Sequence, residues 1–146
     1  MKNNRLQEQM VELRILLQGI CDGFNVENLN KKSSLTMRIK VLYALSKTER
    51  CCPSILIEKL GIAKSNLALL CKSMCEDGVI AVTKSDLDKR NIYYSITPAG
   101  KEELGEFYAA MADDLKLTDR ETRVMEKKFG EIIEFIIKKI QKTTRK

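Results

Sequence analysis

Lys64, Lys72, Lys84, Lys89 and Arg90 are the residues whose type and spacing suggest a chemistry, and that chemistry is the binding of anions. Acids are interspersed among them at Glu76, Asp77, Asp86 and Asp88, so this is not a simple block of one charge. Ser65, Asn66, Ala68, Leu69 and Ser73 stand in the same stretch as Lys64 and Lys72. Along an extended strand Asp88 and Arg90, two apart, would project to one side, and the acid can hold the guanidinium in one rotamer.

Catalytic chemistry finds little support. The chain has no histidine, which removes the commonest general base and metal ligand. It shows no nucleophile–base pair and no glycine-rich phosphate loop, so an enzyme is not expected, nor a cofactor. The five cysteines, Cys21, Cys51, Cys52, Cys71 and Cys75, include no Cys-x-x-Cys pair, so no metal site is expected and free thiols are. Cys71 falls on an apolar helix face and reads as a small core residue. Cys75 points more outward and is the candidate redox thiol, although Glu76 and Asp77 oppose thiolate formation there. Structural cysteine is the default.

The totals fit one domain of 146 residues, large enough to bury a core without staples. The formal charge of +6, from 26 basic and 20 acidic residues, suits a polyanionic partner only modestly. No apolar run is long enough for a bilayer, and the first residues lack a secretory pattern, so a cytoplasmic protein is expected, with no membrane partner.

The elements that must position these residues are mostly helical. Only two prolines and seven glycines interrupt the chain. Leu6, Met10, Leu13, Leu17, Ile20 and Phe24 alternate by four and three, a heptad-like seam on a first helix from about Arg5 to Cys21. Resting this helix on its own domain would give much the same pattern. A second helix is expected after Ser33-Ser34, burying Ile39, Leu42, Tyr43 and Leu45. Pro53 opens a short third helix with Ile55, Leu56 and Leu60 as apolar contacts, stopped by Gly61. A fourth, Lys64 to Asp77, has Leu67, Leu70, Cys71 and Met74 on one face and is closed by Gly78.

Val79 to Thr97 then reads as a hairpin, two β-branched and aromatic runs flanking a polar tip from Lys84 to Asn91. Pro98 opens a fifth helix carrying Leu104, Phe107, Tyr108 and Met111. Thr118-Asp-Arg-Glu121 is a capping box for a sixth helix, to about Gln141, with a broad apolar face of Met125, Phe129, Ile132, Ile133, Ile136, Ile137 and Ile140.

Helix, basic-tipped hairpin, helix is the order of a winged helix-turn-helix, where one helix enters the DNA major groove and the hairpin reaches the backbone or minor groove. Lys-Ser-Asn at a helix start would, alone, read as a cap with solvated charge. The hairpin at the correct offset shifts the reading to DNA. Asn66 could then pair with adenine, Lys64 and Lys72 with phosphates, and Arg90 with a narrow minor groove. Lys84 and Lys89 read equally well as charges that keep the tip soluble.

At this point the chain resembles the MarR-type transcriptional regulators. The matching segments are Ser54-Ile-Leu-Ile-Glu-Lys-Leu-Gly-Ile62, Lys64-Ser-Asn-Leu67, Cys75-Glu-Asp-Gly-Val-Ile80 and, most specific, Asp88-Lys-Arg-Asn-Ile-Tyr-Tyr-Ser-Ile-Thr-Pro-Ala-Gly100. The resemblance implies a mainly α fold with a small β-hairpin, in one domain over 1–146. Residues 33–97 would form the DNA-binding lobe, and 1–32 with 98–146 the dimerisation helices. It implies a homodimer held by Leu6, Met10, Leu13, Leu17, Phe129, Ile132, Ile133, Ile136 and Ile140. DNA would be met by Lys64, Ser65, Asn66, Ala68, Leu69, Lys72, Ser73, Lys84, Lys89 and Arg90, with Asp88 supporting the wing. A small apolar effector is a further implied partner.

The chain departs from the family where Ala68, Leu69 and Ser73 replace the arginines common in recognition helices. That argues against strong guanine readout and toward weaker or shape-dependent specificity. A PadR-like regulator shares the Tyr-Tyr-Ser-Ile-Thr strand, but its usual start leaves little place for residues 1–30. The expected function is a dimeric DNA-binding repressor on a pseudo-palindromic operator. The alternative is a winged-helix module, an antirepressor or scaffold, that binds protein instead.

Overall fold

The computed structural model of the chain describes residues 4–22, 35–88 and 90–144, with only the backbone described for 18–22, 143 and 144. Ser33, Ser34, Phe24 and Lys89 therefore lie outside the described residues, as do the side chains of Ile20 and Cys21. The helices are α1 (Arg5–Asp22), α2 (Met37–Ser46), α3 (Pro53–Leu60), α4 (Lys64–Glu76), α5 (Pro98–Leu115) and α6 (Asp119–Thr144). Two strands, β1 (Ile80–Lys84) and β2 (Ile92–Ile96), form the hairpin. The chain divides into two compact units, Met1–Asp114 and Leu115–Lys146.

The first unit holds the core. Val41, Leu42 and Leu45 of α2 are fully buried, and Leu56, Leu67, Cys71, Met74, Tyr94, Leu104 and Phe107 pack into the same cluster. Because α2 buries residues on several sides, its apolar pattern does not single out one face. Tyr43, expected inside, is 49% exposed, and fully buried Val41 takes the interior place. Ile55 is likewise exposed, leaving Leu56 to anchor α3. The start of α2 is capped by Thr36, whose Oγ1 accepts the N–H of Ile39 at 3.2 Å.

Pro53 occupies the first turn of α3, where its missing N–H costs nothing. Gly61 ends that helix in the left-handed region (φ 63°) and donates its N–H to Ile57 O at 2.9 Å. The strands pair antiparallel from Ile80↔Ile96 to Lys84↔Ile92. Cys51 adds a third edge: its N–H donates to Tyr94 O, and Tyr94 N–H donates to Cys51 O, each at 2.8 Å. The wing is thereby tied to the segment that starts α3.

The entry to α5 is built around Thr97. Its Oγ1 donates to Gly78 O at 2.6 Å and accepts from Gly100 N–H at 3.1 Å, while its own N–H donates to Val79 O at 3.1 Å. Gly100 is required by close approach, since a β-carbon there would collide with the Val79 carbonyl oxygen.

In the second unit, α6 begins with the expected capping box. Glu121 N–H donates to Thr118 Oγ1 at 3.2 Å, and Thr118 N–H reaches back to Glu121 Oε1 at 3.4 Å. Its 26 residues extend the helix over roughly 39 Å. Ile132, Ile133, Ile136, Ile137 and Ile140 are exposed along it, and Phe129 is half-buried. On α1, in the first unit, Leu6, Met10, Leu13 and Leu17 are exposed, and so are Val11, Ile15 and Leu16. The apolar surface of α1 is wider than the seam read from the sequence.

Candidate nucleic-acid interface

The α4 helix is anchored by one face and open on the rest. Leu67, Cys71 and Met74 are buried, with Leu70 partly so. Lys64, Ser65, Asn66, Ala68, Leu69, Lys72 and Ser73 are all exposed, and Leu69 in the middle reaches 70%. Its N-cap is Ala63, which makes no side-chain cap hydrogen bond. The positive end of the helix dipole thus carries no side-chain acceptor, the condition in which a helix start accepts an anion.

The wing tip is braced by its own hydrogen bonds. Ser85 N–H donates to Asn91 O at 2.8 Å and Asn91 N–H to Asp88 O at 2.9 Å. Lys84, at the end of β1, is exposed. Asp88 accepts from the Arg90 backbone N–H at 3.0 Å and from its guanidinium Nε at 3.2 Å. These contacts hold the Asp88 carboxyl below the usual carboxylate range, the backbone N–H first and the guanidinium second. The Arg90 side chain is nevertheless 92% exposed.

The pairing differs from the one expected of an extended strand. Both residues precede β2 in a turn, so the two-residue spacing works through an Asp side chain folding back on its own backbone.

Two features were not visible as local patterns. Arg38 of α2 joins Glu103 of α5 and Asp77 at the end of α4. Arg50 places its guanidinium carbon 4.4 Å from the Tyr93 ring centroid, a cation–π contact on the wing. Both partners of each contact are distant in sequence, and no spacing rule joins them.

The thiols sort by surroundings. Burial pushes Cys71 up to about 11, against a hydrogen bond with Tyr94 that lowers it. Cys75 is raised by burial and then by Glu76, so the candidate redox thiol is held protonated. Cys51 is raised by burial as well. Cys52 runs the other way, lowered by its contact with Ser54 Oγ at 3.2 Å and by the Ile55 N–H. A thiol at a helix start beside a hydroxyl was the available sequence signal. Among the described residues no group of three or more Cys, Asp or Glu side chains could hold a metal ion, and no helix is long and apolar enough to cross a membrane.

Comparison with known proteins matches residues 37–114 to the family described as the winged helix DNA-binding domain. No curated protein sequence matches the chain. Among solved structures, the YusO protein from Bacillus subtilis is 21% identical, with 92% of this chain and 99% of that chain covered and a TM-score of 0.62. A transcriptional regulator from Thermotoga maritima is 16% identical, covering 95% and 99%, at TM-score 0.65. A MarR family transcriptional regulator from Streptomyces coelicolor, solved in complex with DNA, is 18% identical, covering 94% and 87%, at TM-score 0.63. The fold is therefore MarR-like, built around a winged helix DNA-binding domain.

Proposed function

The chain belongs to the winged helix DNA-binding domain family, and from that premise we propose that it is a sequence-specific transcriptional repressor, binding a pseudo-palindromic operator as a homodimer. The observation that carries the reading is Arg90, almost wholly exposed yet held in place by Asp88 at the wing tip. A guanidinium ordered before binding loses little freedom in a narrow minor groove, where the negative potential is strongest.

In the major groove, Ser65 and Asn66 at the uncapped start of α4 would meet base edges, with Asn66 suited to adenine. Lys64, Lys72 and Lys84 would meet phosphates, joined from the sequence by Lys89, while Ala68, Leu69 and Ser73 would face the groove between them. Leu69 and Ala68 can touch thymine methyl groups but cannot read guanine. A site rich in A·T pairs follows.

Homodimerisation is supported by the exposed apolar residues of α1 and of α6, Leu6, Met10, Leu13 and Leu17 on the one, Ile132, Ile133, Ile136 and Ile140 on the other, with Phe129 half-buried. A lone soluble chain seldom leaves such stripes in water. Two-fold symmetry would set the recognition helices about 34 Å apart, one turn of DNA.

Selecting bound duplexes from fragmented genomic DNA tests the reading. The expected result is an inverted repeat flanked by narrow-groove A·T tracts, with affinity falling steeply as salt rises. A second reading, a module that binds protein, is favoured by the apolar centre of α4 at Ala68 and Leu69. It takes over if a dimer retains no fragment at low salt.

A further inference from the structure

We infer that Arg38 is a positioning residue for α4, fixing the angle at which that helix is presented, so that its loss weakens discrimination between sequences more than it weakens attraction to DNA. The inference rests on the DNA-binding reading above and adds a residue outside the DNA-facing surface.

Two carboxylates from different helices converge on one guanidinium from a third. Arg38 Nε donates to Glu103 Oε2 and Nη2 to Glu103 Oε1, both at 2.9 Å, a parallel fork between α2 and α5. Nη1 donates to Asp77 Oδ2 at 2.6 Å, and Asp77 is the C-cap of α4. Fork geometry is specific to guanidinium, and a lysine offers only a point charge. The same end of α4 is gripped a second time, where Thr97 bonds the carbonyls of Gly78 and Val79.

The rest of the α4 attachment has no such direction. Leu67 and Met74 hold it by apolar contact, which resists separation but only weakly resists a tilt, and the one weak thiol hydrogen bond described there, Cys71 with Tyr94, lies midway along the helix. The 13-residue helix is roughly 20 Å long, so a tilt of about 5° at its tail moves the start by roughly 2 Å. Hydrogen bonds to base edges do not survive a displacement of that size, whereas attraction to phosphates does. The guanidinium, Glu103 and Asp77 side chains remain 29%, 32% and 50% exposed. Ion pairs this wet add little to global stability.

The test uses full-length wild type, R38Q, R38K and E103Q. Two probes are compared at fixed salt by fluorescence anisotropy: a duplex selected by the wild type from a random pool, and a scrambled duplex of equal length and composition. Melting and sizing accompany each variant. R38Q is expected to lose about tenfold on the selected duplex and less than twofold on the scrambled one. R38K, with charge but no fork, should fall between, and E103Q should resemble it. Equal weakening on both duplexes, or an unchanged ratio in all three variants, overturns the inference while leaving the DNA reading intact. If R38Q does not fold, R38K and E103Q decide by the same ratio. A wild type that prefers no duplex overturns both.

Discussion

The lobe from α2 through the start of α5 and the helices at either end of the chain use their apolar residues in opposite ways. In the lobe Val41, Leu42, Leu45, Leu56, Leu67 and Met74 are sealed from water, and only scattered apolar side chains such as Tyr43, Ile55, Leu69 and Leu87 stay outside. Along α1 and α6 the leucines and isoleucines whose side chains are described stay exposed. The lobe is satisfied by its own residues; the terminal helices are not. Folding of the lobe is therefore a local matter, and the proposed assembly would be a separate one.

That division can be attacked in order of effect. Leu42→Ala should cost the lobe about 4 kcal/mol in chemical denaturation, because the cavity it leaves cannot fill from rigid neighbours. A loss below about 1 kcal/mol would mean the lobe is not sealed. Ile136→Asp on α6 should weaken the proposed dimer by about 100-fold in analytical ultracentrifugation, close to 3 kcal/mol, with the lobe's signals in amide exchange unchanged. An unaltered association constant would remove that stripe from the interface.

Arg90→Ala should weaken binding to a selected duplex by about 30-fold, roughly 2 kcal/mol, without moving the melting temperature. A melting shift instead would make Arg90 part of the lobe's own stability. Asp88→Asn is expected to be milder, about threefold, since the turn survives and only the charge that holds the guanidinium is lost. The sign with pH follows from the depressed carboxyl. Its bracing is complete above the ordinary carboxylate value and disappears as pH falls through the lower folded value, so carbon-detected NMR should show Asp88 titrating below a peptide carboxylate. Smallest is the thiol order. Iodoacetamide should label Cys52 several-fold faster than Cys75 near neutral pH, read by mass spectrometry.

What the sequence made legible was what depends on neighbours in the chain. The capping box at Thr118, the proline at the start of α3 and the hairpin's two strands all follow from residues a few positions apart. The Asp88–Arg90 pair was legible for the same reason, although a turn and not a strand brings it together. Periodicity misled at Tyr43, because α2, packed on several sides, has no single inward stripe, and at Ile55, because α3 turns only Leu56 fully inward. The cap of α2 is Thr36 and not the earlier serines, because its hydroxyl stands three before Ile39, the spacing a cap requires. Arg38 with Glu103, and Cys51 with Tyr94, could not be read at all. They are joined by topology across long separations.

The Cys51–Tyr94 pairing also bears on how these molecules behave when crowded. It covers the middle of the far edge of β2, and the other edge of the small sheet, the outer side of β1, is five residues ending in exposed Lys84. So short an edge, closed by a cation, is a poor template for strands from other chains. Concentrated stocks should therefore cluster through their greasy helices before they ever form fibres.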